Sequence, residues 1–137
     1  MQLQPIPNFA IHYHNQTLDL SYPRIMGILN VTPDSFSDGG RYNHVDQGLR
    51  HTEQMIRDGA TIIDVGGEST RPNASPVSEQ EEIDRVIKVV EAIERNFGEQ
   101  VWVSVDTSSP TVMTLASQVG AKIWNDVRAL TRPDAIA

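Results

Sequence analysis

The chain has 137 residues, a formal net charge of −7 and no cysteine. This length allows one domain, and the lack of cysteine excludes disulfide frameworks, thiolate metal sites and thiol nucleophiles. The acidic balance argues against nucleic acid as a partner, and no apolar run approaches the roughly 20 residues of a membrane span. With no secretion signal visible at its start, the sequence predicts a cytoplasmic protein with a single domain over 1–137.

The first 22 residues predict a short β-hairpin that turns at Asn15-Gln16. His12 and His14 would share a strand face there, which is one arrangement that binds a metal ion. Because no third ligand lies nearby in the sequence, exposed histidines are the better interpretation.

Residues 23–137 alternate between apolar runs and stretches of helical periodicity. The apolar runs, which predict strands, are 25–31, 61–65, 101–105 and 122–127. The helices are predicted over Val45–Asp58 and Ser78–Phe97, and a third opens with Ser109 as N-cap and Pro110 in its first turn. The apolar runs are nearly continuous, as in strands covered on both faces, so we expect a parallel sheet with crossover helices.

Helix boundaries are marked in the sequence. Ser78 followed by Glu81 matches a capping box at the start of the second helix. Glycines at 59, 98 and 120 follow the apolar stripes and predict where the helices end.

Polar side chains recur where the predicted strands end. They are Asn30, Asp64, Asp106, and Asn125 with Asp126. The carboxyl ends of parallel strands open on the same side of a sheet, where α/β proteins bind ligands. On isolated residues the plainer interpretations are equally good: Asp106 would cap the following helix, and Asn125 and Asp126 would be turn residues. Asp64 is the strand-end carboxylate that we expect to be structural.

Long loops follow the first two strands, at 30–42 and 66–77. Both are near or beyond the roughly 12 residues above which loops in a compact domain are usually functional or disordered. They are rich in Ser, Thr and Gly and carry single arginines, so they predict donors for an anion such as a phosphate. Arg71 taken alone would be a solvated loop charge.

These residues resemble the paired signatures of the dihydropteroate synthase family. ILNVTPDSFSDGG at 28–40 and DVGGESTRP at 64–72 resemble its first two loops, and SVDT at 104–107 and WNDV at 124–127 resemble its next strand ends. Other pterin-binding barrels share the Asp and Asn strand ends but would not be expected to carry the TPDSF and ESTRP loops.

The resemblance implies the N-terminal half of a TIM (β/α)8 barrel, preceded by the hairpin. It implies that p-aminobenzoate displaces diphosphate from 6-hydroxymethyl-7,8-dihydropterin diphosphate, with Mg²⁺ required. Asn30 would ligate the metal, and Asp34 is a further candidate ligand. Thr70 and Arg71 would contact the diphosphate substrate or shape the approach of aminobenzoate. Asp106 and Asn125 would hydrogen-bond the pterin. The family is a sulfonamide target, and the full-length protein is expected to be a homodimer.

Barrels usually need on the order of 250 residues, so this chain corresponds to about half of one. The family's later strands supply another Asp, a Lys, an Arg and a His that have no counterpart here. We therefore expect little or no synthase activity from the 137 residues alone. The alternative is a non-catalytic half-barrel that self-associates, since unpaired sheet edges favour association, or that binds pterin weakly.

Overall fold

The computed structural model describes residues 9–31, 44–67 and 78–136. Its elements in chain order are β1 (Ala10–Tyr13), β2 (Gln16–Asp19), β3 (Ile25–Asn30), α1 (His44–Arg57), β4 (Ala60–Gly66), α2 (Glu79–Phe97), β5 (Trp102–Asp106), α3 (Pro110–Gln118) and β6 (Ile123–Asn125). The predicted strands and helices are all present, with ends shifted by one or two residues.

Strands β1 and β2 form the predicted antiparallel hairpin. Tyr13 pairs with Gln16, so the turn is His14-Asn15, one residue earlier than predicted. His14 has a φ of +52°, the left-handed conformation that two-residue hairpin turns require. His14 therefore does not share a strand face with His12. Both histidines are exposed, as predicted, and His12 Nδ1 lies 3.1 Å from Thr17 Oγ1.

The four remaining strands form one parallel sheet in the order β3-β4-β5-β6. The helices α1, α2 and α3 each connect neighbouring strands, as in consecutive β-α units. This arrangement confirms the predicted parallel sheet. It also brings the carboxyl ends of all four strands to one edge.

The main core lies between this sheet and the helices. Leu29, Val65 and Val105 project from the strands and are almost completely buried. They meet buried side chains of α2 and α3, namely Val86, Val90, Ile93, Val112 and Ala116. The apolar stripes predicted for these helices therefore face inward, as expected.

The other face of the sheet is only partly covered. Near the amino ends of β4 and β5, Leu18 of the hairpin packs against Ile62 and Trp102. These three residues form a second buried cluster. On the outer strand β3, Met26 and Ile28 remain 38% and 52% exposed. The expectation that strands are covered on both faces therefore holds for β4 and β5 but not for β3.

The helix starts follow the sequence signals. Ser78 Oγ accepts the Glu81 N–H at 3.2 Å, which is one half of the predicted capping box. The Glu81 carboxylate instead pairs with Arg85 at 3.2 Å. At the end of α3, Gly120 has a φ of +117°, a conformation that side chains disfavour. Gly98, by contrast, has a φ of −60° and ends α2 without a left-handed residue.

Candidate functional site

One row of register partners crosses the sheet at its carboxyl edge. Asn30 pairs with Gly66, Gly66 with Asp106, and Asp106 with Asn125. Register partners in a sheet project to the same face, and strands lie about 4.8 Å apart, so three steps span roughly 14 Å. We call Asn30, Gly66, Asp106 and Asn125 the rim row. The structure thus brings together three of the predicted site residues.

The rim row faces away from the helices. In β5, Val103 and Val105 point into the helix-covered core, so the alternate residues Ser104 and Asp106 point to the opposite face. Asn30 is exposed, whereas Asp106 and Asn125 are partly buried. Polar groups are therefore concentrated on the face that the helices leave open.

Asp64 lies one row below the rim. Its register partner is Ser104, and Gly66 rather than Asp64 ends β4, so the prediction that Asp64 marks the strand end is wrong by two residues. Asn125 Nδ2 donates to Asp64 Oδ2 at 3.0 Å. Asp64 is only 2% exposed, and its Oδ1 has no hydrogen-bond partner among the described residues.

The link between Asp64 and Asn125 was missed in the sequence, although a signal for it was present. Asp64 lies two positions before Gly66, the last residue of β4, and strand residues two positions apart share a face. The interpretation of Asn125 as an ordinary turn residue is wrong, because Asn125 is the last residue of β6 and its side chain bonds across the sheet.

The helix-capping alternative for Asp106 is also wrong. Ser109 caps α3: its Oγ accepts the Val112 N–H at 3.2 Å. The same hydroxyl donates to Glu79 Oε2 at 2.7 Å, which ties α3 to the first turn of α2. Asp106 is the final residue of β5 and belongs to the rim row.

Asp126 organises the loop that follows the rim, as the turn interpretation predicted. It accepts hydrogen bonds from Ser108 Oγ at 2.7 Å, from the Arg128 N–H at 2.8 Å and from the Leu130 N–H at 3.0 Å. Desolvation raises the pKa of Asp126, but these hydrogen bonds and the Arg128 charge outweigh it and hold the pKa below its usual value. Trp124 Nε1 donates to the Thr107 carbonyl at 2.7 Å, so β6 is joined to the loop that follows Asp106.

Thr70, Arg71 and Asp34 lie outside the described residues. The structure does show how the loop containing the first two begins. Gly67 follows the rim residue Gly66, and a Cβ at Gly67 would lie 2.7 Å from Val86 Cγ2. Only glycine therefore allows the chain to leave the sheet so close to α2.

Of the two predicted metal ligands, Asn30 lies within the described residues and Asp34 does not. Among residues 9–31, 44–67 and 78–136, no group of three or more His, Cys, Asp or Glu side chains could hold a metal ion. Mg²⁺ commonly takes one or two protein oxygens and completes its octahedron with water and substrate phosphates. A single exposed amide oxygen at the rim fits that mode and does not fit an all-protein metal cage.

An open groove of about 420 Å³ lies at the opposite end of the sheet. Its lining includes Thr17, Arg24, Thr61, Gln100 and Trp102, which come from the hairpin and from the start of the strands. In barrels the amino ends of the strands contribute to stability, whereas the carboxyl ends carry the chemistry. We therefore place the candidate site at the rim. Within the described part of the chain, no helix is long and apolar enough to cross a membrane.

A parallel β-α sheet whose carboxyl edge carries amides and carboxylates is typical of ligand-binding α/β proteins, and the sequence matches one such family. Residues 26–137 match the pterin-binding enzyme family. The chain belongs to this family. Within it, the chain is 59% identical over 120 residues to the dihydropteroate synthase of Escherichia coli K12, covering 88% of this chain and 42% of the relative.

Solved structures agree. The Yersinia pestis dihydropteroate synthase in complex with a sulfonamide drug matches with a TM-score of 0.82 at 56% identity, over 93% of this chain and 46% of that one. The Xanthomonas albilineans enzyme with 4-aminobenzoic acid gives 0.81 at 46% identity, over 89% and 45%. The fold is thus that of the N-terminal half of a TIM barrel, and the chain spans less than half the length of these relatives.

Proposed function

We propose that this chain supplies the N-terminal part of a dihydropteroate synthase site. The reaction joins p-aminobenzoate to 6-hydroxymethyl-7,8-dihydropterin diphosphate and releases diphosphate. The observation that carries the proposal is the rim row, in which Asn30, Asp106 and Asn125 occupy one face at the carboxyl edge. The family membership and the aminobenzoate complex of a relative support the choice of substrates.

The chemistry suits a site made of amides and carboxylates. The reaction breaks a C–O bond beside an electron-rich heterocycle, so positive charge develops on the methylene carbon as diphosphate leaves. Catalysis then depends on positioning the amine, excluding water and stabilising the leaving group, and it needs no protein nucleophile. Asp106 and Asn125 would hold the pterin N–H groups, and Asp106 would also lie close to the charge that develops.

The diphosphate would be held at the β3 side of the rim. Asn30 would bind Mg²⁺ through its amide oxygen, and the metal, when bound, would neutralise the leaving diphosphate. Thr70 and Arg71 would donate to the diphosphate substrate or guide aminobenzoate, as expected from the sequence. A cytoplasmic location and a homodimeric full-length protein belong to the same proposal.

A fusion tests this function. The 137 residues replace the matching segment of the E. coli relative, and dihydropteroate formation is measured with and without Mg²⁺. We expect Mg²⁺-dependent turnover by the fusion, and little or none by the 137-residue chain alone. A folded fusion without turnover would contradict the proposal.

A matched pair of variants assigns the activity to the rim. Asp106→Asn keeps the shape but removes the charge that faces the pterin, so we expect turnover to fall by about 100-fold or more. Asp84→Asn alters an exposed carboxylate on α2 that bonds Gln80, and we expect it to leave turnover within about twofold. Equal effects of the two substitutions would remove Asp106 from the site.

The second candidate is a non-catalytic half-barrel that associates with itself. The exposed apolar side chains of Met26 and Ile28 on the open face favour it, as do the outer strands β3 and β6, which are paired on one side only within the described sheet. Sedimentation velocity over a range of concentrations tests it. A monomer at all concentrations, with no response to pterin diphosphate, would exclude this function.

A further inference from the structure

We propose that Asp64 is a positioning residue that fixes the orientation of the Asn125 amide. It would thereby decide which hydrogen-bonding edge of a heterocycle the rim accepts. The inference deepens the function proposed above and rests on it for the identity of the ligand. The orientation itself does not depend on that identity.

The carboxylate allows only one orientation of the amide. Asp64 Oδ2 lies 3.0 Å from Asn125 Nδ2. An ionised carboxylate has acceptors only, so the NH₂ group of Asn125 must face it. If the amide were reversed, Asn125 Oδ1 would face Asp64 Oδ2 at this distance. Both atoms are acceptors, so no hydrogen bond could form between them. The carbonyl oxygen of Asn125 is therefore turned away from Asp64.

Burial makes this orientation strongly preferred. Asp64 is 2% exposed and Asn125 is partly buried, so water competes weakly for the hydrogen bond. The two residues come from β4 and β6, with β5 between them. The hydrogen bond therefore crosses β5. It fixes the side chain of Asn125 in the rim row from Asp64, which lies one register row closer to the amino ends of the strands. Asp64 would act through Asn125 and not by direct contact with the ligand.

The row below the rim has spare hydrogen-bonding capacity. Asp64 Oδ1 and its register partner Ser104 Oγ are both buried and have no partner among the described residues. An unpaired acceptor beside an unpaired hydroxyl is the arrangement that a buried water satisfies. This pair gives independent support for a site built around Asp64.

The fixed amide has a consequence for specificity. Asn125 presents its carbonyl oxygen to the site, and Asp106 adds a carboxylate on the neighbouring strand. This part of the rim therefore offers acceptors, which select a heterocycle edge that carries adjacent N–H donors. An edge made of acceptors would be rejected, because it would leave unpaired oxygens on both sides.

The first experiment observes the amide directly. In ¹⁵N-labelled chain, we expect the Asn125 side-chain NH₂ signals to show one hydrogen-bonded, exchange-protected proton. We expect Asp64→Ala and Asp64→Val, which both lack an acceptor, to remove that protection. Asn96, whose Nδ2 donates to the Ala92 carbonyl at 2.8 Å, is the internal control and should not change. Unprotected Asn125 signals in the wild-type chain would overturn the inference.

The second experiment is a double-mutant cycle on ligand affinity, measured in the fusion with the E. coli relative, with 6-hydroxymethyl-7,8-dihydropterin as the probe. We expect Asp64→Ala and Asn125→Ala each to weaken binding about tenfold, the scale of one lost hydrogen bond. We expect the double variant to bind no more weakly than Asn125→Ala alone. A further loss in the double variant would show that Asp64 acts independently of Asn125, and the inference would fail.

The two experiments separate this inference from the proposed function. A protected Asn125 amide that loses its protection in both Asp64 variants supports the inference even if the wild-type chain does not bind the pterin. Absence of pterin binding by the fusion would count against the proposed function and not against this inference. If the fusion binds the pterin but the protection of the Asn125 amide does not change in the Asp64 variants, the proposed function stands and the positioning role of Asp64 is overturned.

Discussion

Asn30, Asp106 and Asn125 meet at one edge because each ends a parallel strand at the same register level. The polar surface of the site then follows from the alternation of side chains between the two faces of each strand. Odd-numbered residues of β5 enter the core and even-numbered ones face the open side, so a single strand contributes both Val105 to the fold and Asp106 to the rim. A polar residue at a strand end thus adds a site without interrupting the core.

The loop after β6 should make stability depend on pH through Asp126. Because the pKa of Asp126 is lowered in the folded chain, its stabilising contribution is present above the usual carboxyl value of 3.8. The contribution is lost as the pH falls through the lower, folded-state value.

Urea unfolding of the wild-type chain and Asp126→Asn measures this effect. We expect the wild type to be the more stable at about pH 7, and the difference to shrink toward about pH 3. A difference that stays constant over this range would show that the hydrogen bonds to Asp126 do not depend on its charge.

At the scale of elements, the Ser109 hydroxyl joins α2 to α3. It caps α3 through the Val112 N–H and donates to Glu79 in the first turn of α2. Ser109→Ala removes both bonds from a side chain that is 2% exposed. We expect a loss of about 1–2 kcal/mol in the free energy of unfolding.

Ser117→Ala is the matched control for that substitution. Ser117 lies on the exposed side of the same helix, and its hydroxyl bonds only the Thr114 carbonyl within the helix. We expect a change within about 0.5 kcal/mol. Equal losses for Ser109→Ala and Ser117→Ala would mean that the link between α2 and α3 adds nothing.

A partly buried ion pair joins α2 to the start of β6. Lys122 Nζ lies 3.1 Å from Glu94 Oε1, and the two side chains are 8% and 18% exposed. Lys122→Met would leave the Glu94 carboxylate without its charge partner in a poorly solvated position. We expect a loss of about 3 kcal/mol in the free energy of unfolding.

Arg95→Met is the control for the ion pair. It breaks the pair with Glu91, whose N–O distance is 3.2 Å but whose side chains are 74% and 52% exposed. Water screens such a pair, so we expect a loss of about 0.5 kcal/mol. If thermal or urea unfolding showed similar losses for both substitutions, burial of Lys122 and Glu94 would not be the cause.

At the scale of the whole molecule, local signals predicted most of the fold. The capping residues Ser78 and Ser109, the helical stripes and the apolar strand runs are properties of neighbouring residues, and the parallel order follows from alternating β-α units. The exposure of Ile28 and the packing of Leu18 on Trp102 were not predicted, because they depend on which segment covers the open face.

The site was predicted only in part, because local sequence signals show where strands end but not which distant residues make contact. Asn30, Asp106 and Asn125 were found because strand ends are visible in the sequence. The bond from Asn125 to Asp64 was missed, because it joins residues 61 apart in the chain and two strands apart in the sheet. Thr70 and Arg71 stay predictions, since they lie outside the described residues.

The central claim is that the carboxyl edge of this sheet, and not the groove at its other end, receives the pterin. Chemical-shift mapping tests it when the fusion, ¹⁵N-labelled, is titrated with 6-hydroxymethyl-7,8-dihydropterin diphosphate and Mg²⁺. We expect the largest changes at Asn30, Gly66, Asp106 and Asn125. Changes confined to the groove around Thr17, Arg24 and Gln100 would contradict the account.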